Sequence, residues 1–146
     1  MAGKRNAMSI DMAQINSDVI TQFRANGGQI KEGMFKGAPI VLLTTKGART
    51  GATYTTPLVH TRDGDRYVVI ASKGGAPTNP AWYHNLVANP IVTVEVGPEK
   101  FEARATVARG EERDRLFNAQ AALMPGFAAY QRNTSRRIPV IVLERV

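Results

Sequence analysis

Short β-rich segments separated by tight turns recur along the chain and restrict it to a few architectures. Segments 54–61 and 66–72 flank Asp63-Gly64, a dipeptide typical of two-residue hairpins because glycine tolerates the positive φ that such turns require. A second hairpin is predicted from 91–96 to 101–107, turning through residues 97–100. Two further strands are predicted over 39–45 and 138–143. Connections this short favour antiparallel pairing, since parallel strands need long crossovers.

Three segments with helical character interrupt the strands. Residues 10–26 repeat apolar side chains at helical spacing and are followed by two glycines. Residues 81–88 follow Pro80, which suits the first position of a helix, and a third helix is predicted over 110–123. The resulting order, α-β-β-β-α-β-β-α-β, lacks the regular alternation of a doubly wound parallel sheet. We therefore predict a mainly β, α+β fold: an antiparallel barrel with helices over its openings.

The chain length and composition bound the domain organisation. With 146 residues the chain is suited to one compact domain, and we expect an N-terminal segment with an amphipathic helix over 1–33, followed by the barrel over 34–146. The absence of cysteine excludes disulfides, thiolate nucleophiles and Cys-based metal sites. No apolar run approaches the roughly 20 residues that span a bilayer, and no signal-peptide core follows Met1, so we expect a cytoplasmic location.

The formal net charge of +7 favours anionic partners. Charge alone leaves nucleic acid, a membrane surface, a polyanionic cofactor and a merely basic soluble surface open. Nucleic-acid binding also needs aromatic side chains among basic ones, and only Tyr54 and Tyr67 are candidates, so we predict no such partner. Membrane contact through Lys4, Arg5 and the first helix is expected to be weak and peripheral at most, because that helix carries acidic and amide side chains on its polar face.

A candidate anion site lies in the turn 46–51, between the first two predicted strands. Gly47 and Gly51 allow backbone N–H groups to converge, and Lys46 and Arg49 can add charge-assisted hydrogen bonds to a phosphate. The turn lacks the residue order of a Walker loop, and the chain contains no G-x-G-x-x-G motif. Phosphate binding and an ordinary solvated turn both remain open from these residues.

A second candidate site follows the central strand, where residues 71–77 lead into the helix 81–88. A strand end followed by glycines and a helix start presents free N–H groups, which suit the carbonyl-rich edge of a flavin-like ring; a flexible connector has the same pattern. Trp82 is either a core anchor or a stacking surface. Tyr130, after Pro125, either donates a hydrogen bond into a cleft or packs a helix against the barrel.

The two histidines, His60 and His84, do not predict metal or hydrolytic chemistry. Two histidines without cysteine make a poor ligand set, so we predict no metal. Ser72 and His84 lack both a G-x-S-x-G motif and a third orienting residue, which argues against a nucleophilic hydrolase.

Five segments in one order resemble the deazaflavin-dependent nitroreductase family, actinobacterial enzymes that use coenzyme F420 on a split barrel related to flavin-binding pyridoxamine phosphate oxidases. The resemblance covers about residues 34–146. It implies an antiparallel split β-barrel of the FMN-binding type. The segments that carry it are 42–51, 55–58, 63–69, 71–77 together with 80–86, and 88–90.

The resemblance also implies a role for each matching residue. The residues that would hold the phosphate and acidic tail of the coenzyme are Lys46, Arg49, Thr50 and Gly51. Those that would flank its ribityl chain are Thr55, Thr56 and Pro57. The deazaflavin edge would meet the backbone N–H groups of Ala71, Ser72, Lys73, Gly74 and Gly75. The ring pocket would be lined by Trp82, Tyr83 and Asn85. The residues that would face the substrate, to orient it or assist proton delivery, are Ser72 and Tyr130.

The reaction implied by the resemblance is hydride transfer from the reduced coenzyme to a quinone, enone or unsaturated lactone, followed by protonation. Met124 and Phe127 stand where the nitroimidazole-activating member of the family leads one to expect tyrosines, so reduction of nitroaromatics is less favoured. Two alternatives stay open: the same barrel using FMN as a flavin reductase or oxidase, and a non-catalytic basic barrel. A monomer and a homodimer are both compatible with the sequence.

Overall fold

The computed structural model describes residues 11–146 of the chain. Its helices are α1 (Met12–Ala25), α2 (Ala81–Ala88), α3 (Gly110–Leu123) and α4 (Gly126–Arg132). Its strands are β1 (Ile40–Lys46), β2 (Thr53–Asp63), β3 (Arg66–Ile70), β4 (Ile91–Val96), β5 (Glu99–Val107) and β6 (Val140–Arg145). A short 3₁₀ turn covers Lys73–Gly75. Lys4 and Arg5, considered above for membrane contact, lie outside the described residues. None of the helices within 11–146 is long and apolar enough to cross a bilayer.

The strands within 11–146 form a closed antiparallel barrel in the order β1-β2-β3-β6-β5-β4. The pairs β1–β2, β2–β3 and β4–β5 are neighbours in sequence, as the turns predict. The barrel closes where Leu43 of β1 lies opposite Val94 of β4, and β6 joins β3 to β5. The predicted antiparallel barrel is therefore confirmed.

Three strands are buried on both faces, which explains why they read as continuous apolar runs. In β1, Val41 and Leu43 point into the barrel core, whereas Ile40 and Leu42 pack under α1 with Phe23. In β3 and β6 the inward residues also belong to the barrel core, and the alternate ones belong to a second cluster beneath α3 and α4. Alternation along each strand thus lets one sheet bury side chains on both of its faces.

Three details differ from the sequence-based predictions. Pro80 is the N-cap of α2, not its first helical residue, because its ψ of 157° is extended. The β4–β5 turn is shorter than predicted, since Val96 pairs directly with Glu99. The sequence also does not predict α4, which begins at the Pro125-Gly126 pair interpreted as a stop.

Candidate functional site

The turn between β1 and β2 is closed by its own hydrogen bonds. The amide of Gly47 donates to the carbonyl oxygen of Ala52 at 2.6 Å, and the amide of Gly51 donates to that of Gly47 at 3.2 Å. Gly51 has a φ of +73°, which glycine adopts without strain. The side chains of Lys46 and Arg49 are exposed on this turn. Two cations are therefore displayed on a compact backbone that can approach an anion.

Helix α2 holds this turn in place through Asn85. Its Oδ1 accepts a hydrogen bond from the amide of Ala48 at 3.1 Å, and its Nδ2 donates to Oγ1 of Thr45 at 3.1 Å. Asn89, after the helix, donates to the carbonyl oxygen of Lys46 at 3.3 Å. The amide of Asn85 therefore orients the basic turn relative to α2, besides lining the cleft described next.

A cleft of about 680 Å³, here called the α2 cleft, opens between the basic turn, the start of β2 and α2. Six of the residues that the sequence assigns to the coenzyme line it, namely Arg49, Thr50, Thr55, Thr56, Trp82 and Asn85. Tyr54 and His84 line it as well, although the sequence assigns neither of them to this site. The only signal for them was position, because both adjoin assigned residues.

A second feature, here called the amide nest, lies at the end of β3. Ser72 has right-handed helical φ and ψ (−74°, −40°), and Lys73 follows with a φ of +47°. This alternation turns successive N–H groups toward one point and creates a concavity for anions or carbonyl oxygens. Within residues 11–146, the amides of Ser72, Lys73 and Gly74 donate to no protein acceptor. Three donors are therefore available to a ligand.

Helix α4 packs directly on the loop that forms the amide nest. A Cβ placed on Gly75 would lie 2.9 Å from the carbonyl oxygen of Tyr130, so only glycine fits there. The ring of Tyr130 meets that of Phe127 edge-on, with centroids 5.6 Å apart, and packs against the cluster that contains Ile70. The structure thus brings residues 71–75 together with Tyr130.

The remaining assigned residues lie at the margins of these two features. Lys46 and Gly51 belong to the basic turn beside the α2 cleft, and Pro57 is opposite Leu42 in the β1–β2 pair. Tyr83 lines a different pocket, together with arginines that include Arg113. Within residues 11–146, no three His, Cys, Asp or Glu side chains lie together as a metal site requires.

A closed barrel with a basic cleft and an amide nest at a strand end defines a small-molecule-binding split barrel. The sequence matches the family described as F420H(2)-dependent quinone reductase over residues 17–145. The chain belongs to this family, and its proteins are oxidoreductases that depend on reduced coenzyme F420. The predicted resemblance to F420-dependent split barrels is thereby confirmed.

Individual relatives agree with this assignment. The chain is 41% identical over 128 residues to the F420H(2)-dependent quinone reductase Rv1261c of Mycobacterium tuberculosis (strain ATCC 25618 / H37Rv), covering 84% of this chain and 85% of that protein. A solved F420-H2 dependent reductase, FDR-A, is 40% identical with a TM-score of 0.68, over 73% of this chain and 94% of the other. A solved domain-swapped dimer is 35% identical with a TM-score of 0.69, over 86% of this chain and 95% of the other.

Proposed function

We propose that this protein is a reductase that uses reduced coenzyme F420 to reduce a quinone. The observation that carries the proposal is the amide nest, whose three free N–H donors stand at the end of β3 and suit the carbonyl-bearing edge of a deazaflavin ring. The sequence similarity to Rv1261c supports the same activity. The residues present therefore fit the coenzyme.

The basic turn is proposed to bind the anionic end of the coenzyme. Lys46 and Arg49 would neutralise the phosphate and acidic tail, and the backbone around Thr50 and Gly51 can approach closely because the turn is compact. Thr55, Thr56 and Pro57 would flank the ribityl chain along the start of β2. The exposed positions of both cations keep them accessible to a tail that extends into solvent.

The ring is proposed to lie between the amide nest and the first turns of α2. Residues 71–75 would donate backbone N–H groups to its carbonyl edge, while Trp82, Tyr83 and Asn85 would line the pocket from the helix. Trp82 is only 7% exposed and is anchored in the barrel core, so the wall that it provides is rigid. A rigid wall holds the reacting atoms at a fixed distance, which raises the rate by reducing the entropy lost in reaching the transition state.

Substrate contacts are proposed for Ser72 and Tyr130. The coenzyme would supply the hydride, and the protein would supply position and electrostatic stabilisation. A hydroxyl aimed at a quinone oxygen would stabilise the negative charge that develops there as reduction proceeds. The contact of Gly75 with the backbone of Tyr130 supports this role, because it fixes α4 beside the amide nest.

The N-terminal segment 1–33 and the barrel 34–146 are proposed to fold as one globular domain. The burial of Val19 and Phe23 against Ile40 and Leu42 supports this, because separating α1 from the barrel would expose all four side chains. For assembly we propose a monomer or a homodimer, and the domain-swapped relative supports the dimer.

The proposed function is tested by mixing the protein with reduced F420 and a benzoquinone and following the return of oxidised deazaflavin absorbance. We expect rapid oxidation that requires both protein and quinone, and slower oxidation with an enone or a nitroaromatic. Reduced FMN and NADPH serve as alternative donors under the same conditions. Quinone reduction with reduced FMN, and none with reduced F420, would contradict the proposal.

A further inference from the structure

Arg136 makes four hydrogen bonds to the loop that carries the amide nest. Its Nε donates to the carbonyl oxygen of Ala76 at 2.8 Å, and its Nη2 donates to that of Ser72 at 2.6 Å. Its Nη1 donates to the carbonyl oxygen of Ala71 at 3.1 Å and to Oδ1 of Asn79 at 2.8 Å. Arg136 forms no ion pair with a carboxylate within residues 11–146, so its charge is directed at these four oxygens.

Two of these contacts fix the donors of the nest through the geometry of the peptide unit. In a planar trans peptide, the carbonyl group and the N–H of the following residue point in opposite directions. The carbonyl of Ala71 shares its peptide with the N–H of Ser72, and the carbonyl of Ser72 shares its peptide with the N–H of Lys73. When Arg136 binds both carbonyls, both N–H groups must point away from it, to the open side of the loop.

We propose that Arg136 is a positioning residue that aims the N–H groups of Ser72 and Lys73 at the carbonyl edge of the deazaflavin ring. This inference rests on the proposed function. A charge-assisted bond to each carbonyl also polarises the peptide and strengthens its N–H as a donor. The role needs the flat fork of a guanidinium, because a lysine ammonium presents a single point charge and cannot span four acceptors in this arrangement.

The neighbouring Arg137 provides a matched control. It carries the same charge one position along the chain, but its side chain is exposed and its Nη2 lies 2.6 Å from Oδ1 of Asp114, on α3. Arg137→Gln therefore removes one positive charge without touching the loop. Any general effect of net charge on an anionic ligand will appear equally in Arg136→Gln and Arg137→Gln.

The test compares wild type, Arg136→Gln, Arg136→Lys and Arg137→Gln in binding to two ligands: oxidised F420, and a deazaflavin riboside that lacks the phosphate tail. Fluorescence titration gives each affinity, and the absorption spectrum of each bound ligand reports its hydrogen bonding. Hydrogen exchange of amides 71–76 in the protein without ligand gives a readout that needs no coenzyme. Thermal unfolding confirms that each variant is folded.

We expect Arg136→Gln to weaken both ligands by the same factor, about tenfold or more, since one lost neutral hydrogen bond already approaches that value. The spectrum of the bound ligand should move toward that of the free one, and amides 71–76 should exchange faster. Arg136→Lys should show a smaller loss, and it keeps the test valid if Arg136→Gln does not fold. Arg137→Gln should bind the tail-less ligand as wild type does.

Two results overturn the inference while leaving the proposed function intact. In the first, wild type binds both ligands and Arg136→Gln matches it in affinity and spectrum. In the second, Arg136→Gln loses affinity only for the ligand with the tail, which would assign Arg136 to the anionic end. Wild-type protein that binds neither deazaflavin would overturn the proposed function, and the inference with it.

Discussion

Gly75→Ala should destabilise the protein more than the same substitution at other glycines with positive φ. Gly75 has a φ of +82°, and an added Cβ would lie 2.9 Å from the carbonyl oxygen and 3.3 Å from the Cα of Tyr130. The clash is with backbone, so α4 or the nest loop must move. Gly64, in the β2–β3 turn, has a φ of +62°, and a Cβ added there would meet nothing within 4 Å, so Gly64→Ala carries the backbone strain alone.

The left-handed conformation costs an L-residue about 1 kcal/mol, and overpacking typically adds about 1–3 kcal/mol. We therefore expect Gly64→Ala to lower the free energy of unfolding by about 1 kcal/mol and Gly75→Ala by about 2–4 kcal/mol. For a domain of this size each kcal/mol corresponds to about 4 °C in Tm. Urea and thermal unfolding of both variants measure the difference. Equal losses in the two would show that α4 does not press on the nest loop, and would refute the reasoning.

Three further predictions concern the coenzyme, the substrate and pH. Lys46→Ala with Arg49→Ala should weaken F420 binding by about 1.5–3 kcal/mol for each well-made contact, less at high salt; unchanged affinity in a titration would place the tail elsewhere. Tyr130→Phe should slow single-turnover hydride transfer by about two to three orders of magnitude with little loss of binding, and equal rates would leave Tyr130 a packing role. Burial lowers the pKa of His60 below 6.5, so only the unfolded chain binds that proton just below pH 6.5; stability should fall as pH decreases through this window, and His60→Gln should flatten that fall in urea titrations at several pH values.

The sequence predicted the barrel well because local patterns carry most of its information. The Asp63-Gly64 turn and the apolar runs of β1, β3 and β6 specify strands and hairpins within a few residues of each other. Burial on both faces makes those runs unambiguous. The basic turn was also recognisable, since the two cations and two glycines that define it are adjacent in the chain.

The features that the sequence did not reveal depend on contacts between distant segments. Glu95 alternates with valines in β4 and reads as solvent-facing, yet it is only 9% exposed because Arg24 of α1 covers it through two hydrogen bonds of 3.2 and 2.9 Å. Arg136 reads as one more basic residue, and its bonds to the nest loop span 57 to 65 positions of sequence. Spacing rules within one helix or strand cannot anticipate such pairs.

The most direct test of the assigned coenzyme is a competitive titration of the ligand-free protein with oxidised F420 and FMN, followed by fluorescence. The proposed function predicts saturable binding of F420 that excess FMN does not displace, because the basic turn and α2 cleft are assigned to the F420 tail. Tight binding of FMN together with no detectable binding of F420 would contradict it.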